Sequence, residues 1–410
     1  MRILFLTQVL PYPPDAGPKV KTWHVLRFLA ERGHEIHLVT YVRPEEDKFL
    51  KHLEELCTQV YPVPLRRSRI MDGLYWLRSN LTGRPFLIER DDLGDMREVV
   101  DRLLLGQMFD VVHADQLTMT QFAVGKQKDH LTRIFDAHNA VWTILDRMAE
   151  NNPWYLKPLL KLEAGRVKRY EGKIIKDFER TLAVTDIDEE ALLEAVNSVD
   201  GNSFSKNCIS VIPIAVDTQQ LSPIHPENGS TNILTLGTLH YQPNADGIRW
   251  FLRNVFPLIK SAVPQASLTI IGKNPPADFL EFARQNPDAV KVTGYVPSLV
   301  PYLQKAAVVA IPVRAGGGMR VRILESLAWG MPLVTTTIGL EGIDARSGEE
   351  VLVADAPHEF AEAVVGLLKD PILRAKLSKQ GRALAEARYD WKVVFKDLEG
   401  IYQAIDGRAG

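Results

Sequence analysis

Residues Val308 to Thr336 read VVAIPVRAGGGMRVRILESLAWGMPLVTT, and the order of residue types predicts a strand, a loop and a helix. A buried β-branched strand ends at Pro312, three glycines follow, and a helix opens near Met319 or Arg320. Three consecutive glycines let the backbone approach a ligand closely, and they present N–H groups at the N-terminus of a helix. The arrangement suits a bound phosphate at the end of a strand.

Charged residues surround these glycines. Arg320 and Arg322 add fixed positive charge, and Glu325 lies about a turn into the helix, where a carboxylate can accept two hydrogen bonds from a ribose diol. A flexible glycine turn with surface arginines is the alternative interpretation. The segment differs from a dinucleotide-binding fingerprint, because no Gly-x-Gly-x-x-Gly follows the first strand, and this disfavours a dehydrogenase.

The whole chain alternates short β-branched runs with longer helical patterns, which is typical of parallel α/β folding. Strands are expected in the first half at Ile3–Thr7, Glu35–Thr40, Val60–Pro62, Val111–His113, Arg133–Asp136, Thr181–Val184 and Cys208–Ile212. Strands are expected in the second half at Ile233–Gly237, Ser267–Ile271, Val290–Thr293, Val308–Pro312, Leu333–Thr335 and Val351–Val353. Helices are expected at Lys21–Arg32, Asp246–Lys260, Ala277–Gln285, Val300–Lys305, Val321–Trp329, Pro357–Leu368, Ile372–Ala385 and Trp391–Ala404.

A polar stretch that contains Pro and Gly, Ser222–Thr231, separates the two series. We therefore expect a first domain over residues 1–218, a linker over 219–230 and a second domain over 231–388. A helix in residues 389–410 is expected to pack back on the first domain. The fold class is then α/β, with two facing, doubly wound Rossmann-like domains. Ligands bind at the carboxyl ends of parallel strands, so the cleft between the domains is the expected site.

Composition narrows the possible functions. The 410 residues are 46% hydrophobic and 24% charged, which is typical of a globular protein. The formal net charge is −2, so no global positive field is available to bind nucleic acid. Cys57 and Cys208 form no metal-ligand spacing and indicate no disulfide scaffold. The apolar N-terminus is too short for a signal peptide, and no apolar run is long enough to span a bilayer, so a cytoplasmic location is expected.

Two motifs connect the chain to a known family. The first is a glycine-rich loop with a basic pair, followed by Leu-Glu-Ser-Leu-Ala-x-Gly-x-Pro, and the second is GTLHYQPNADGIRWF at Gly237–Phe251. In both motifs the chain resembles the retaining glycosyltransferases of family 4, which have the GT-B fold. Further similarity lies in PPDAGPKVK (Pro13–Lys21), AHN (Ala137–Asn139), VIPIAVD (Val211–Asp217), TTIGLEGI (Thr336–Ile343) and YDW (Tyr389–Trp391).

The resemblance implies roles for the residues of the glycine loop. Glu325 would hold the nucleotide ribose, Arg320 and Arg322 would face the diphosphate, and the amides of Gly316 to Met319 would lie against the sugar and phosphate. The family commonly carries two glutamates in a Glu-x₇-Glu pattern, and the first of these positions is Gly317 here. The usual carboxylate contact to the sugar hydroxyls is therefore missing.

Other candidate residues follow strands elsewhere. Gly17 suits close approach of the backbone to a donor or acceptor, and Lys19 is placed to reach a phosphate. A plain surface loop is the alternative interpretation for both residues. In the resembled family a His at the position of His138 contacts the donor sugar, and a structural histidine is the alternative. Tyr241 and Asn244 either contact the donor or set the turn before a helix. The donor-binding set is thus Gly17, Lys19, Gly237, Tyr241, Asn244, Gly316, Gly317, Gly318, Met319, Arg320, Arg322 and Glu325, and the catalytic set is His138, Arg320 and Glu325.

Two stretches combine basic and aromatic residues. Leu65–Pro85 contains five arginines together with Tyr75 and Trp76, and Trp154–Arg180 holds eight Lys or Arg against four Asp or Glu. Either stretch is suited to rest on anionic lipid near a membrane-borne acceptor, which would make the protein peripheral on the inner face of a membrane. A solvated helix face is the alternative.

The resemblance implies transfer of a hexose-type sugar from a nucleotide-diphosphate sugar to a saccharide or lipid-linked acceptor, with retention, in cell-envelope or exopolysaccharide synthesis. The nucleotide sugar is the co-substrate, and no cofactor or metal is implied, since no Asp-x-Asp motif or metal-ligand cluster is apparent in the sequence. A sugar-nucleotide epimerase and a phosphorylase remain alternatives, although no pyridoxal-phosphate lysine motif is obvious. A non-catalytic nucleotide-sugar-binding protein is a further alternative, motivated by Gly317.

Overall fold

The computed structural model describes residues 1–125, 131–201 and 208–406, and its contacts divide the chain into two compact units. The first unit comprises Met1–Ile214 and Val394–Gly410, and the second comprises Ala215–Val393. Residues 219–230, the expected linker, lie within the second unit. Residues 407–410 of the expected C-terminal segment lie outside the described residues.

The first unit contains a parallel sheet with strand order β3-β2-β1-β4-β5-β6-β7. Its strands are β1 (Arg2–Thr7), β2 (Glu35–Val42), β3 (Gln59–Pro64), β4 (Val111–Asp115), β5 (Thr132–Asp136), β6 (Arg180–Ala183) and β7 (Ile209–Val211). The order reverses between β1 and β4, and the register places Thr7 beside Asp115 and Asp115 beside Asp136. Three polar side chains therefore end adjacent strands at the switch point, where open α/β sheets bind ligands.

Helices connect these strands, as the length of a parallel crossover requires. They are α1 (Gly17–Glu31), α2 (Leu50–Glu54), α3 (Arg69–Thr82), α4 (Phe86–Asp91), α5 (Gly94–Gly106), α6 (Leu117–Thr120), α7 (Val141–Asn151), α8 (Lys157–Asp177) and α9 (Asp186–Asp200). The N-terminus of α7 is held by a carboxyl group from α8, because Glu171 accepts the N–H groups of Val141 and Trp142. Burial raises the pKa of Glu171 to about 8.

The second unit contains a parallel sheet with strand order β10-β9-β8-β11-β12-β13. Its strands are β8 (Asn232–Leu236), β9 (Ser267–Ile271), β10 (Val290–Gly294), β11 (Ala306–Ile311), β12 (Leu333–Thr335) and β13 (Leu352–Val353). The switch point lies between β8 and β11. Both central strands are buried. The glycine-containing segment Val308–Thr336 begins within β11.

Helices again fill the connections. They are α10 (Gln242–Trp250), α11 (Phe256–Ala262), α12 (Ala277–Gln285), α13 (Val300–Lys305), α14 (Val321–Ala328), α15 (Pro357–Lys369), α16 (Pro371–Leu384) and α17 (Trp391–Asp406). Residues of α17 from Val394 onward belong to the first unit. Among the helices of the described ranges, none combines the length and the apolarity that crossing a bilayer requires.

The predicted fold class is confirmed, since two parallel α/β sheets form and every expected strand overlaps an observed one. The expected helix Asp246–Lys260 differs in detail. It begins at Gln242, because Pro243 is tolerated in a first helical turn, where its missing N–H has no partner to lose. A π-helical turn at Phe251–Val255 then separates α10 from α11.

One glycine brings α10 against the central strand of the second unit. A Cβ atom on Gly247 would overlap the carbonyl oxygen of Pro312, the residue that follows β11. The helix therefore packs on the backbone at the point where the chain leaves β11 for the glycine loop. Only a residue without a side chain allows this approach.

Gly247→Ala is expected to lower the free energy of unfolding by about 1–3 kcal/mol, because the added methyl group forces the backbones apart. Urea unfolding of the two proteins measures the change. Gly366→Ala in α15 is the matched control, since a Cβ atom there meets nothing within 4 Å. The control should be neutral or more stable by up to about 1 kcal/mol. Equal behaviour of the two variants would contradict the close packing of α10.

Candidate functional site

The glycine loop, Pro312–Arg320, connects β11 to α14 at the carboxyl edge of the second sheet. Gly316 and Gly318 have φ values of 103° and 78°, which side chains rarely adopt. Met319 is buried and fixes the end of the loop to the unit. Two of the three glycines, Gly316 and Gly318, are therefore needed for the path of the backbone.

Arg320, the residue that precedes α14, folds back on this loop. Its Nη1 donates to the carbonyl oxygen of Gly317 at 2.8 Å, and its Nη2 donates to that of Ala315 at 3.4 Å. In a trans peptide the C=O and the following N–H point in opposite directions, so the N–H of Gly318 faces away from the guanidinium. Arg320 thus sets the direction in which this part of the loop presents its amides.

Arg322 and Glu325 lie one turn apart on α14 and form an ion pair. Arg322 Nη1 lies 2.6 Å from Glu325 Oε2, and the two side chains are 30% and 12% exposed. The Oγ of Ser326 donates to the carbonyl oxygen of Arg322 at 2.7 Å. The two residues that the sequence assigns to a diphosphate and a ribose therefore neutralise each other in this structure.

The second sequence motif lies beside the glycine loop. Gly237 follows β8, and Asn244 Nδ2 donates to the carbonyl oxygen of Thr238 at 3.2 Å, which shapes the turn into α10. A Cβ atom on Gly316 would lie 3.7 Å from Pro243. Tyr241 is 46% exposed at the start of this turn. The second unit thus brings together the predicted residues of both motifs.

A third segment, Thr336–Gly339, is anchored to the same edge and carries a residue to which the sequence assigned no role. The Oγ1 of Thr336 donates to the carbonyl oxygen of Val313 and accepts the N–H of Gly339. The resemblance to a family motif over Thr336–Ile343 was the only sequence signal for this anchor. Thr336 fixes the loop after β12 to the start of the glycine loop.

In the first unit, His138 is held by a buried carboxylate at the end of β4. His138 Nε2 lies 2.7 Å from Asp115 Oδ1, and the histidine side chain is 8% exposed. The Oδ2 of Asp115 accepts hydrogen bonds from the hydroxyls of Thr7 and Thr22. The sequence analysis did not predict a role for Asp115. The available signal was that Asp115 follows a predicted strand, as Thr7 and Asp136 end two others.

A second buried chain of contacts runs through Asp136. Its Oδ1 pairs with the ammonium of Lys21, and its Oδ2 lies 3.4 Å from His113 Nε2. His113 Nδ1 lies 2.7 Å from the hydroxyl of Tyr402 on α17. Burial acts to raise the pKa of Asp136, but the Lys21 ammonium and the hydrogen bond from His113 outweigh it and hold the pKa below its usual range. Burial also raises the pKa of Tyr402.

Three of these side chains offer atoms that could bind one metal ion, since ligand atoms of His113, Asp115 and Asp136 all lie within 4.8 Å of one another. Each of the three is already engaged by a neighbouring side chain. The fully buried Lys21 ammonium supplies the positive charge that a buried carboxylate requires. The donor set therefore fits an internal ion pair at least as well as it fits a cation.

Gly17 and Lys19 lie at the start of α1, the helix that supplies Lys21 and Thr22 to these buried contacts. Gly17 is the first residue of α1, and Lys19 Nζ lies 3.3 Å from Glu46 Oε1. Lys19 is therefore paired with a carboxylate of its own unit. The donor-binding roles of these two residues stay predictions.

A cavity of about 470 Å³ lies elsewhere in the second unit. It is lined by residues that include Pro223, Glu227, Ala307, Pro332 and Arg382. Ala307 and Pro332 stand at the amino ends of β11 and β12, opposite the glycine loop. Ligands of parallel sheets bind at the carboxyl edge, so this cavity is not the candidate site.

Comparison with known proteins finds similarity to glycosyltransferases. Residues 230–370 match the family described as glycosyl transferases group 1. The chain is 22% identical, over 97% of its length and 98% of the relative, to an uncharacterized 44.6 kDa protein in the cps region of Klebsiella pneumoniae. It is 29% identical to the GDP-mannose-dependent monoacylated alpha-(1-6)-phosphatidylinositol monomannoside mannosyltransferase of Corynebacterium glutamicum, over 47% of this chain and 55% of that protein.

Solved structures show the same architecture. Anabaena HepE in complex with UDP-glucose matches with a TM-score of 0.67 and 13% identity, over 98% of this chain and all of that one. Sucrose-phosphate synthase from Thermosynechococcus elongatus matches with a TM-score of 0.69 and 14% identity, over the full length of both. The fold is therefore GT-B, and the family match together with the mannosyltransferase relative supports a glycosyltransferase.

Lys21→Met is expected to lower the free energy of unfolding by about 3–5 kcal/mol at neutral pH, because it leaves the Asp136 carboxylate buried without its cation. Urea unfolding measures the loss. Lys21→Met/Asp136→Asn should recover part of it, since both charges are then removed. Lys157→Met, in an exposed pair with Glu150, is the control and should change stability by less than about 1 kcal/mol. A single variant as stable as the control would show that the buried pair is not needed.

Proposed function

We propose that this protein is a retaining glycosyltransferase of family 4. It transfers a sugar from a nucleotide-diphosphate sugar to a saccharide or lipid-linked acceptor, in cell-envelope or exopolysaccharide synthesis. The observation that carries the proposal is the loop Gly316–Arg320, whose backbone is turned by two positive-φ glycines directly before a helix with Arg322 and Glu325 in its first turns.

The donor diphosphate would bind where the loop amides and the N-terminus of α14 converge. Arg322 would turn toward a phosphate oxygen and release Glu325, whose carboxylate would then accept the ribose hydroxyls. The ion pair between these residues supports this exchange, because it keeps both side chains at the same edge until a ligand with both groups arrives. Arg320 would act mainly by holding the carbonyl groups of the loop away from the phosphates.

The leaving diphosphate gains negative charge as the bond from the anomeric carbon to its oxygen breaks. Loop amides and arginine side chains that are already oriented would stabilise this charge without reorganisation. The acceptor hydroxyl oxygen would form the new bond to the anomeric carbon, and its proton would pass to the leaving diphosphate oxygen. No metal ion is part of the proposal, because the two arginines and the helix N-terminus supply the positive charge.

His138 is proposed to contact the donor sugar, with Asp115 as its positioning residue. The carboxylate engages Nε2, which leaves Nδ1 and the ring edge as the parts of the imidazole available to a ligand. Thr7 and Thr22 hold the other oxygen of Asp115, so the imidazole is oriented before substrate binds. Gly17, Lys19, Tyr241 and Asn244 are proposed as further contacts to the donor.

The class of acceptor is supported by the relatives. One is encoded in a cps region, and another is named for transfer to a monoacylated phosphatidylinositol mannoside. The first candidate donors are likewise UDP-glucose and GDP-mannose, which appear in the names of relatives. A thermal-shift screen against both donors and their nucleotides identifies which nucleotide base the protein binds, since a bound ligand raises the melting temperature by mass action.

A non-catalytic nucleotide-sugar-binding protein is the second candidate, because Gly317 stands where the resembled family commonly has a glutamate. The two functions differ in turnover. Release of UDP or GDP from a sugar nucleotide, with or without added acceptor, would exclude the binding protein. Tight binding without turnover across all donors would favour it.

Arg320→Ala is expected to reduce turnover by about 10²-fold or more without unfolding the protein, because the loop amides lose their fixed orientation. Nucleotide release measures turnover, and circular dichroism checks the fold. Arg284→Ala, in an exposed pair with Glu281 on α12, is the matched control and should keep wild-type kinetics. Wild-type kinetics in Arg320→Ala would rule out the role of the loop.

Glu325→Gln is expected to weaken binding of the nucleoside diphosphate by about tenfold or more, because a charged hydrogen-bond acceptor of the ribose is lost. Isothermal titration calorimetry measures the affinity. The corresponding 2′,3′-dideoxynucleotide should bind the wild type and the variant equally. If Glu325→Gln weakens both ligands alike, the carboxylate does not bind the ribose.

The stereochemistry of the product tests retention. An α-linked sugar nucleotide should give an α-linked product, and the one-bond coupling between the anomeric carbon and its proton in the NMR spectrum distinguishes the two anomers. A β-linked product would contradict the proposal for retention while leaving the donor site intact.

A further inference from the structure

The connection that carries His138 is short, since the four residues 137–140 join β5 to α7. The N–H of Ala137 donates to the carbonyl oxygen of Leu182 on β6 at 2.8 Å. The backbone is therefore fixed on the side of His138 that leads from the sheet. The other side, at the start of α7, is held by two acids from two different helices.

Glu171 of α8 and Asp188 of α9 accept the N–H groups at the start of α7. Glu171 Oε1 accepts the N–H of Val141 at 2.7 Å, and its Oε2 accepts that of Trp142 at 3.2 Å. Asp188 Oδ1 accepts the N–H of Ala140 at 3.0 Å. Three consecutive amides are thus bonded to acids that lie 29 to 48 positions further along the chain.

Both acids have defined positions. Glu171 is fully buried, and Asp188 is 7% exposed. The hydroxyl of Thr185, the N-cap of α9, donates to Asp188 Oδ2 at 2.7 Å. Next to Glu171, a Cβ atom on Gly172 would lie 2.3 Å from the carbonyl oxygen of Ala195. The backbones of α8 and α9 are therefore in close contact at the point where the two acids leave them.

Capping of a helix does not by itself require acids from elsewhere. A Ser, Thr, Asp or Asn at the N-cap satisfies an N–H of the first turn locally, whereas the N-cap of α7 is Ala140, which makes no side-chain bond. Withdrawal of a carboxyl group from water costs free energy, and burial accordingly raises the pKa of Glu171 to about 8. What the distant acids add, and a local cap would not, is a fixed position of α7 on α8 and α9.

We propose that Glu171 and Asp188 are positioning residues for His138. By holding the first amides of α7 they would fix the backbone from which the imidazole extends, while Asp115 engages Nε2 of the ring. The remaining ring nitrogen would then face the donor sugar in one orientation before substrate binds, so that no rearrangement adds to the barrier. This inference rests on the role of His138 in the proposed function and names the residues that make that role possible.

Glu171→Gln tests the first of these residues. The amide keeps the shape of the side chain, but its nitrogen cannot accept an N–H, so one of the two bonds to α7 is lost. The kcat for nucleotide release should fall by about tenfold or more, whereas the affinity for free UDP or GDP, measured by isothermal titration calorimetry, should stay that of the wild type. Wild-type kcat in this variant would overturn the proposal.

Asp370→Asn is the matched control for the change from acid to amide. Asp370 also accepts two N–H groups with its side chain at the start of a helix, since it bonds those of Ile372 and Leu373 in α16. It lies in the second unit and is exposed, so this variant should keep wild-type kinetics. An equal loss of kcat in Asp370→Asn and Glu171→Gln would overturn a specific role for Glu171.

A double-mutant cycle separates positioning of His138 from a general loss of structure. If Glu171 acts through His138, adding Glu171→Gln to His138→Ala should lower kcat by less than about twofold, because the group that it positions is already absent. A loss by the same factor in both backgrounds would overturn the proposal. Wild-type kcat in His138→Ala would overturn it too, because no catalytic contact would then need positioning.

Asp188 provides a test that does not depend on the folding of Glu171→Gln. Asp188→Ala removes the acceptor of the Ala140 N–H and should lower kcat by about tenfold. Asp188→Asn should restore it, because the amide oxygen can accept that N–H and the amide nitrogen can donate to the hydroxyl of Thr185. Equal losses in the two variants would contradict a role that depends on this bond.

Failure of the proposed sugar transfer has a different signature. If the wild type releases no nucleotide from any sugar nucleotide that it binds, the transfer reaction is wrong, and the same cycle is measured on binding. His138→Ala and Glu171→Gln should then each weaken binding of the sugar nucleotide but not of the free nucleotide, and the double variant should bind like His138→Ala. Additive losses of affinity would overturn the positioning role whether or not the protein has turnover.

Discussion

All strands of each sheet run in the same direction, so their carboxyl ends and the loops that follow them meet at a single edge. Groups from distant parts of the sequence are brought together there. In the first unit Thr7, Asp115 and Asp136 end three adjacent strands, and in the second unit the glycine loop and the turn before α10 follow two adjacent strands. The chemistry of each unit depends on this constraint, because helices at these edges add N–H groups and charged side chains.

Charge at both edges is balanced by partners within the same unit. Asp136 is paired with Lys21 in a site without solvent, where an unpaired carboxylate would be strongly destabilising. Arg322 and Glu325 form a pair that is partly exposed, so its exchange for a ligand costs less. The two pairs thus differ in depth, since the first is fully buried and the second is partly exposed. Opening of the second pair on a ligand belongs to the proposed function.

Much of the architecture could be predicted from the sequence, because strand and helix patterns are local. The β-branched runs located all thirteen strands, and the glycines before Met319 located the loop that precedes α14. The pairing of side chains was not predictable in the same way. Arg320 folds back on Gly317, and Asp115 meets a threonine 108 positions earlier in the chain. Such contacts depend on sheet order and on rotamers, for which a single sequence contains no local pattern.

The final helix has a consequence for how the protein is made. Phe395, Glu399 and Tyr402 of α17 contact Phe28, Arg32 and His113, so the core of the first unit includes residues from the end of the chain. A ribosome must complete the second unit before these residues emerge, which takes roughly 10–40 s at common rates of synthesis. During that interval the N-terminal sheet lacks the ring that covers His113. The first unit can therefore complete its fold only after the second unit has been translated.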